Sequence, residues 1–336
     1  MKIVRTDCRL ETPIIDRELL AAGHELILLK DGASEAEVIE AVRDAGLILM
    51  CYTPISRAVI EAAPNLRGIV KYGVGIDAID IPCAIERGIP VVNIPEYGEE
   101  TVAEGAFTLM IALAKKLPSL HAKMQKDAWA WPESPWLGTD IAGKTVGLVG
   151  LGKIGASMAR MAGAGFRADV MAYSPHTEAS RFEALGVRRA DSLEELMRQS
   201  DFVSVHTVLN EETRGMIGAA ELRVMKPSAF LINVSRGAIV DESALVRAVE
   251  EGWIAGVGLD VYSQEPLDQV DHPMKALFGR DNVILSPHLT FYTNDAMERL
   301  ERETLERCFE VIERREVLVT SGDPRLRAQR VGVRFG

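Results

Sequence analysis

The stretch KTVGLVGLGKIGASMARMA, running from Lys144 to Ala162, decides the fold. Its apolar run Val146 to Val149 predicts a buried strand. Gly150, Gly152 and Gly155 follow with the spacing G-x-G-x-x-G, and Ala156, Met158, Ala159, Met161 and Ala162 then favour a helix. Strand, glycine turn and helix in that order are the context in which this spacing binds a dinucleotide. The first glycine permits the tight turn, the second lets a pyrophosphate approach the backbone, and the third lets helix and strand pack closely. The helix start adds unpaired N–H groups and a partial positive charge. The competing reading, a glycine-rich turn that binds nothing, explains the glycines but not the complete context.

Around this stretch lie 336 residues, enough for two domains, and 47% of them are hydrophobic, enough for sizeable cores. The 49 acidic and 38 Lys or Arg residues leave a net charge of −11, which disfavours nucleic acid and anionic membranes as partners. No apolar run reaches the length of a membrane span, and the opening MKIVRTDCRLE reads as a first strand rather than a signal peptide. Cys8, Cys51, Cys83 and Cys308 have neither metal spacing nor a disulfide framework. Free thiols in a cytoplasmic protein with no metal are therefore expected.

Upstream of the glycine stretch, strand and helix patterns alternate. Lys2 to Val4, Glu25 to Leu29, Leu47 to Cys51, Gly68 to Lys71 and Val91 to Ile94 read as strands, with helical stretches such as Ser34 to Arg43 and Ser56 to Ala63 between them. Such βα units imply a parallel sheet in a flavodoxin-like domain. Glu100 to Leu117 reads as a helix stopped by Pro118, and Trp129, Trp131 and Trp136 stand in an irregular stretch as domain glue or a subunit contact. Downstream, strands at Val170 to Tyr173, Phe202 to His206, Phe230 to Asn233, Gly256 to Val261 and one ending at Leu285 build a doubly wound second domain. An amphipathic helix from about Asn294 to Glu313 could return to the first domain. The role of the arginine-rich tail 321–336 is open.

Three strand ends carry candidate chemistry. Arg236 follows the strand Phe230 to Val234, at the edge where parallel sheets bind ligands. Its fork suits a carboxylate, or an ordinary ion pair. Asp260 and Glu265 follow the next strand, and either could be a solvated loop residue. His288 follows Leu285-Ser-Pro, and a histidine suits proton transfer near neutrality. Of the other histidines only His206, at a strand end, competes.

With these residues in view the chain resembles the D-isomer-specific 2-hydroxyacid dehydrogenase family over nearly its whole length. The resemblance rests on GLVGLGKIG from Gly147, MKPSAFLINVSRGAIVDESAL from Met225, GVGLDVYSQEP from Gly256 and SPHLT from Ser286, with KYGVGID from Lys71 and TVAEG from Thr101 in support. It implies two Rossmann-like domains: a substrate domain made of residues 1–98 joined by 289–336, and a dinucleotide-binding domain of residues 99–288. It implies a homodimer and hydride transfer between a nicotinamide cofactor and a 2-keto or 2-hydroxy acid. By match, Arg236 would bind the substrate carboxylate and keto group, His288 would be the general acid or base, and Glu265 would hold its ring. Val74 and Gly75 match the loop whose N–H groups meet the substrate carboxylate. Thr101, Lys153, Ile154, Ser174, Thr207, Val208, Thr213, Val234, Ser235 and Asp260 match cofactor-contacting positions, with the three glycines and Arg236.

The chain departs from its relatives in places. Ser174 stands where NAD-preferring members commonly carry an Asp, so the ribose would lose that partner and a 2′-phosphate would lose that repulsion. His176, Thr177 and Arg181 could receive the phosphate, yet no arginine directly follows Ser174. NAD and NADP therefore both remain open. Bulky Phe291 and Tyr292 follow His288, and with Tyr52 they could line a pocket mouth or pack in a core. Glyoxylate, hydroxypyruvate, pyruvate and larger keto acids stay open as substrates. Two other readings keep the Arg, Glu and His set: a phosphite dehydrogenase, and a nucleotide-sensing corepressor-like protein.

Overall fold

Short apolar runs alternate with capped helices from Met1 to Gly98, and the result is a parallel sheet. The computed structural model describes residues 1–268 and 270–336. It divides into two units, one of Met1–Gly98 with Tyr292–Gly336 and one of Glu99–Phe291. The second unit thus runs past residue 288, the boundary expected from sequence.

The first unit begins β1 (Lys2–Arg5), α1 (Pro13–Ala21), β2 (Glu25–Leu28), α2 (Glu35–Val42), β3 (Leu47–Met50), α3 (Arg57–Glu61), β4 (Ile69–Lys71), α4 (Ile81–Glu86) and β5 (Val91–Asn93). Ser34 and Glu37 form a reciprocal capping box that starts α2, while Ser56 and Asp80 cap α3 and α4. The strands pair in parallel in the order β2-β1-β3-β4-β5, the flavodoxin-like order. The central strand β3 is wholly buried, so it reads as an unbroken apolar run rather than an alternating one.

The second unit opens with α5 (Glu99–Ala114) and α6 (Leu117–Asp127). Sequence reading stops at Pro118, but Lys116 takes a left-handed φ of 51° and Pro118 sits in the first turn of a new helix. Proline is tolerated there because that N–H has no partner in a helix. Then come β6 (Thr145–Val149), α7 (Lys153–Arg160), β7 (Asp169–Tyr173), α8 (Ala179–Leu185), β8 (Arg188–Arg189), α9 (Leu193–Gln199), β9 (Phe202–Val205), α10 (Ala219–Arg223), β10 (Phe230–Asn233), α11 (Glu242–Glu250), β11 (Gly256–Leu259) and β12 (Val283–Leu285). They form one parallel sheet in the order β12-β11-β10-β9-β6-β7-β8. The order reverses between β6 and β9, which opens the crevice where such sheets hold ligands.

The chain then re-enters the first unit with α12 (Asn294–Ile312), β13 (Val317–Val319), α13 (Pro324–Arg327) and β14 (Val333–Phe335). Buried Glu301 of α12 accepts the N–H groups of Ile14 and Ile15 at 2.7 and 3.1 Å, satisfying the start of α1. The tail 321–336 has a role that composition hides. Gln329 pairs its side-chain amide with both backbone groups of Val91, at 2.7 and 2.8 Å. That contact covers the edge of β5, which would otherwise expose unpaired strand groups.

Candidate active site

The glycine loop leaves β6 with Gly150 at a φ of +101°, a conformation L side chains rarely adopt. A Cβ at Gly150 would lie 2.7 Å from the His206 carbonyl oxygen, and one at Gly155 would lie 2.4 Å from the Gly150 oxygen. These two glycines are fixed by protein packing. Gly152 differs, because a Cβ there would meet nothing within 4 Å. It is the N-cap of α7, and no side chain caps that helix. Open space in front of an uncapped helix start fits a pyrophosphate. Lys153 pairs with Glu99 at 3.1 Å, and Ser157 donates to Glu100 at 2.7 Å, so α7 and α5, which carries buried Thr101, are tied together.

At the end of β7 the Ser174 hydroxyl accepts the Leu151 N–H at 3.2 Å and lies 2.8 Å from the Thr177 hydroxyl. Arg181 donates to the carbonyls of Leu151 and Gly152 at 2.8 and 3.2 Å. His176, exposed, lies 3.1 Å from Glu212. Thr213 closes the turn after β9, donating to the Val208 carbonyl at 2.6 Å, and the Ser235 hydroxyl donates to the Thr207 carbonyl. Val234 is buried beside them.

Arg236, Glu265 and His288 all belong to this unit, after β10, β11 and β12. The turn Ser235-Arg236-Gly237 lies flat against the next loop: a Cβ at Gly237 would come within 2.0 Å of the Tyr262 carbonyl carbon. Asn233 accepts the Ser235 N–H at 3.0 Å and donates to the Arg236 carbonyl at 2.9 Å, fixing that turn. One oxygen of Glu265 accepts the Tyr262 N–H at 2.9 Å, and the other lies 2.8 Å from His288 Nδ1. Burial alone would raise the Glu265 pKa. The His288 hydrogen bond and charge, the Tyr262 N–H and the Arg236 charge outweigh it and hold the carboxyl below its usual range.

His288 has a φ of +58°, left-handed for a residue with a side chain. Asp260 secures this turn. Wholly buried, it accepts Leu289 N–H at 3.0 Å, Thr290 N–H at 3.1 Å and the Thr290 hydroxyl at 2.6 Å. Both carboxylate oxygens are thus committed to the chain just beyond His288, a duty absent from the sequence reading. Phe291 is buried, with its ring edge-on to His288 at 6.4 Å. His206, the competing histidine, lies 2.8 Å from Ser204 through Nε2, and its Nδ1 is buried with no partner among the described residues. Burial pulls its pKa down to about 4, so it is neutral at pH 7.

In the first unit, Tyr52 and Tyr292 are about half exposed, at 47% and 46%. Val74 is exposed and Gly75 partly so. Among the described hydrogen bonds neither donates its N–H to a protein acceptor. Sequence reading passes over two neighbours of this loop, Lys71 and Asn93. Their only signal is a polar residue at the end of an apolar strand.

The family model described as "D-isomer specific 2-hydroxyacid dehydrogenase, NAD binding domain" matches residues 107–290. A glyoxylate reductase of Korarchaeum cryptofilum is 42% identical over 281 residues, 82% of this chain and 83% of that one. The crystal structure of the TT0316 protein from Thermus thermophilus superposes with a TM-score of 0.85 at 33% identity, covering 94% of this chain and 98% of that one. A D-lactate dehydrogenase from Aquifex aeolicus, solved with NAD and lactic acid, gives a TM-score of 0.83 at 28% identity, covering 93% and 95%. The strand order, the glycine loop and these matches agree, and the chain belongs to the D-isomer-specific 2-hydroxyacid dehydrogenases, NAD(P)-dependent oxidoreductases built from two Rossmann-like domains.

Proposed function

We propose that this chain reduces a small 2-keto acid to the D-2-hydroxy acid, with glyoxylate first among the candidates because the relatives include glyoxylate reductases. The observation that carries this reading is the fixed ensemble of Arg236, Glu265 and His288 on three adjacent strand ends. Reduced nicotinamide, when bound, supplies the hydride. The Arg236 guanidinium stabilises the negative charge that develops on the keto oxygen. His288 gives that oxygen a proton from Nε2, becomes neutral, and regains its proton from solvent. In the reverse direction the same nitrogen takes the hydroxyl proton. Glu265 keeps the ring aimed by holding Nδ1 and offsets the charge of the protonated ring. By match to the family, Val74 and Gly75 are proposed to offer their backbone N–H groups to the substrate carboxylate, and Tyr52 and Tyr292 are proposed substrate contacts.

Neutral hydroxyls at Ser174 and Thr177 beside Arg181 support use of NADP as well as NAD. Trp129, Trp131 and Leu137, exposed at 58, 70 and 73%, support a homodimer formed through the second unit. The four unpaired cysteines fit the cytoplasm. The test follows reduced-nicotinamide absorbance with a panel of 2-keto acids, using NADH and NADPH in parallel. Turnover of at least one acid is expected. Tight cofactor binding with no turnover would overturn the reading and favour phosphite oxidation or a sensor.

A further inference from the structure

The carboxyl edge of the first unit's sheet holds a charge that the reaction above does not use. Lys71, the last residue of β4, is only 6% exposed. Its ammonium donates to the Cys51 carbonyl, lies 3.4 Å from Cys51 Sγ, and sits 5.5 Å from the centre of the Tyr52 ring. Among the described residues no carboxylate forms an ion pair with it. Asp7, at the end of β1, already accepts from Thr6, from Cys51 N–H and from both the N–H and hydroxyl of Thr53. A buried cation without a counter-ion is costly, which points to an anion that completes the site.

The loop above Lys71 is built to receive one. Gly73 has a φ of +149°, and a Cβ there would lie 3.3 Å from Lys71 Nζ, so the missing side chain lets the backbone close on the ammonium. The Gly73 carbonyl accepts the Ile94 N–H at 3.0 Å, and the Val74 carbonyl accepts Asn93 Nδ2 at 2.6 Å. A trans peptide points its N–H opposite to its carbonyl. With both carbonyls anchored toward β5, the N–H groups of Val74 and Gly75 are turned together to the other side, where they meet no protein acceptor among the described hydrogen bonds. Asn93 is 4% exposed, and its Oδ1 is buried without a partner among the described residues, where its amide serves Val74 alone.

We propose that Lys71 and Asn93 complete a carboxylate-binding site on the Val74–Gly75 loop: Asn93 sets the direction of the two N–H groups, and Lys71 supplies the positive charge behind them. The inference rests on the reading of this loop as the contact for the keto acid's carboxylate. Neither residue touches the reacting carbon, so both are positioning residues.

The test compares the 2-keto acid that the wild type turns over best with its uncharged methyl ester, in Lys71→Met, Lys71→Arg and Asn93→Asp. For Lys71→Met, KM for the acid should rise about tenfold or more while kcat, KM for the ester and cofactor affinity stay near wild type. Lys71→Arg should restore most of the acid affinity. Asn93→Asp, which removes the donor to Val74 and adds a like charge, should raise KM for the acid further still. Acid and ester weakening together, or an unmoved acid KM in a folded variant, would overturn the proposal. If the wild type turned over no 2-keto acid, the reaction assigned above would fail. The site would then be read by calorimetric binding of oxalate to the same variants, with equal affinity across them counting against it.

Discussion

In the proposed reaction both sheets would place their chemistry at the carboxyl ends of parallel strands, but with different materials. The second unit would use side chains: Arg236 after β10, Glu265 after β11 and His288 after β12. The first unit would use backbone: the proposed N–H groups of Val74 and Gly75, whose opposing carbonyls are held by Asn93 and Ile94. Proton transfer and charge stabilisation need particular residue types, so those positions can be read from a motif. A backbone N–H is available from any residue but proline, so a site built of them shows in sequence only through the glycines that let the chain bend.

The comparison breaks most severely at His288. In His288→Gln, kcat for keto-acid reduction should fall about 10²- to 10⁴-fold while cofactor binding persists. Single-turnover kinetics with a fluorescence titration of the cofactor checks both. A kcat near wild type would move the proton to another group and leave the second unit's side chains without their central role.

Two glycines of the second unit sharpen the contrast between a backbone position set by packing and one set by a ligand. Gly237→Ala places a Cβ 2.0 Å from the Tyr262 carbonyl carbon and 2.2 Å from the Ser263 nitrogen, and main chain cannot yield as a flexible side chain can. The variant should lose about 1–3 kcal/mol or more of stability and misplace Arg236. Gly152→Ala meets open space, so its unfolding midpoint should stay near wild type while cofactor affinity falls. Denaturation of both variants, with and without cofactor, separates the two cases. A stable Gly237→Ala, or an unstable Gly152→Ala, would reverse the assignment.

The parallel sheets, the glycine loop and the three strand-end side chains are legible in the sequence because each depends on local pattern or residue type. Strand lengths drift by a residue or two, as at Gly256–Leu259, since an apolar run does not mark where pairing stops. Helix α6 is hidden by Pro118, which ends one helix and is tolerated in the first turn of the next. The duty of Asp260 is invisible because its three donors come from residues 289 and 290, far along the chain. Gln329 on Val91 is a similar case, the partners standing 238 positions apart. Lys71 in KYGVGID passes as a surface lysine, because sequence does not reveal that it is buried or that Gly73 lies against it.

The buried ring of His206 in the second unit provides a pH test. The folded pKa of His206 is about 4, against 6.5 for an unperturbed histidine. Between those values the unfolded chain binds more protons. Stability therefore falls as pH drops through 6.5, and the loss is complete below the folded value. At pH 5 the penalty is about 2 kcal/mol relative to pH 7. In His206→Gln that part of the pH dependence should vanish, so urea midpoints at pH 7 and pH 5 should lie closer together than in the wild type. Identical slopes in both proteins would mean that the His206 ring reaches solvent and charges normally.

The smallest expected effect concerns the ribose end of the cofactor. Ser174 and Thr177 offer hydroxyls, and the guanidinium of Arg181 lies against the glycine-loop carbonyls. An aspartate at position 174 would still accept the Leu151 N–H, would accept from ribose hydroxyls, and would repel a 2′-phosphate. Ser174→Asp should therefore lower the ratio of NADPH to NADH affinity about tenfold, a shift of about 1.4 kcal/mol. Nucleotide fluorescence titrated in the absence of substrate reads this without relying on turnover. An unchanged ratio would show that the ribose is read elsewhere. His176, 3.1 Å from Glu212, would then be the place to look, because that carboxylate could take the part the aspartate plays in NAD-preferring relatives.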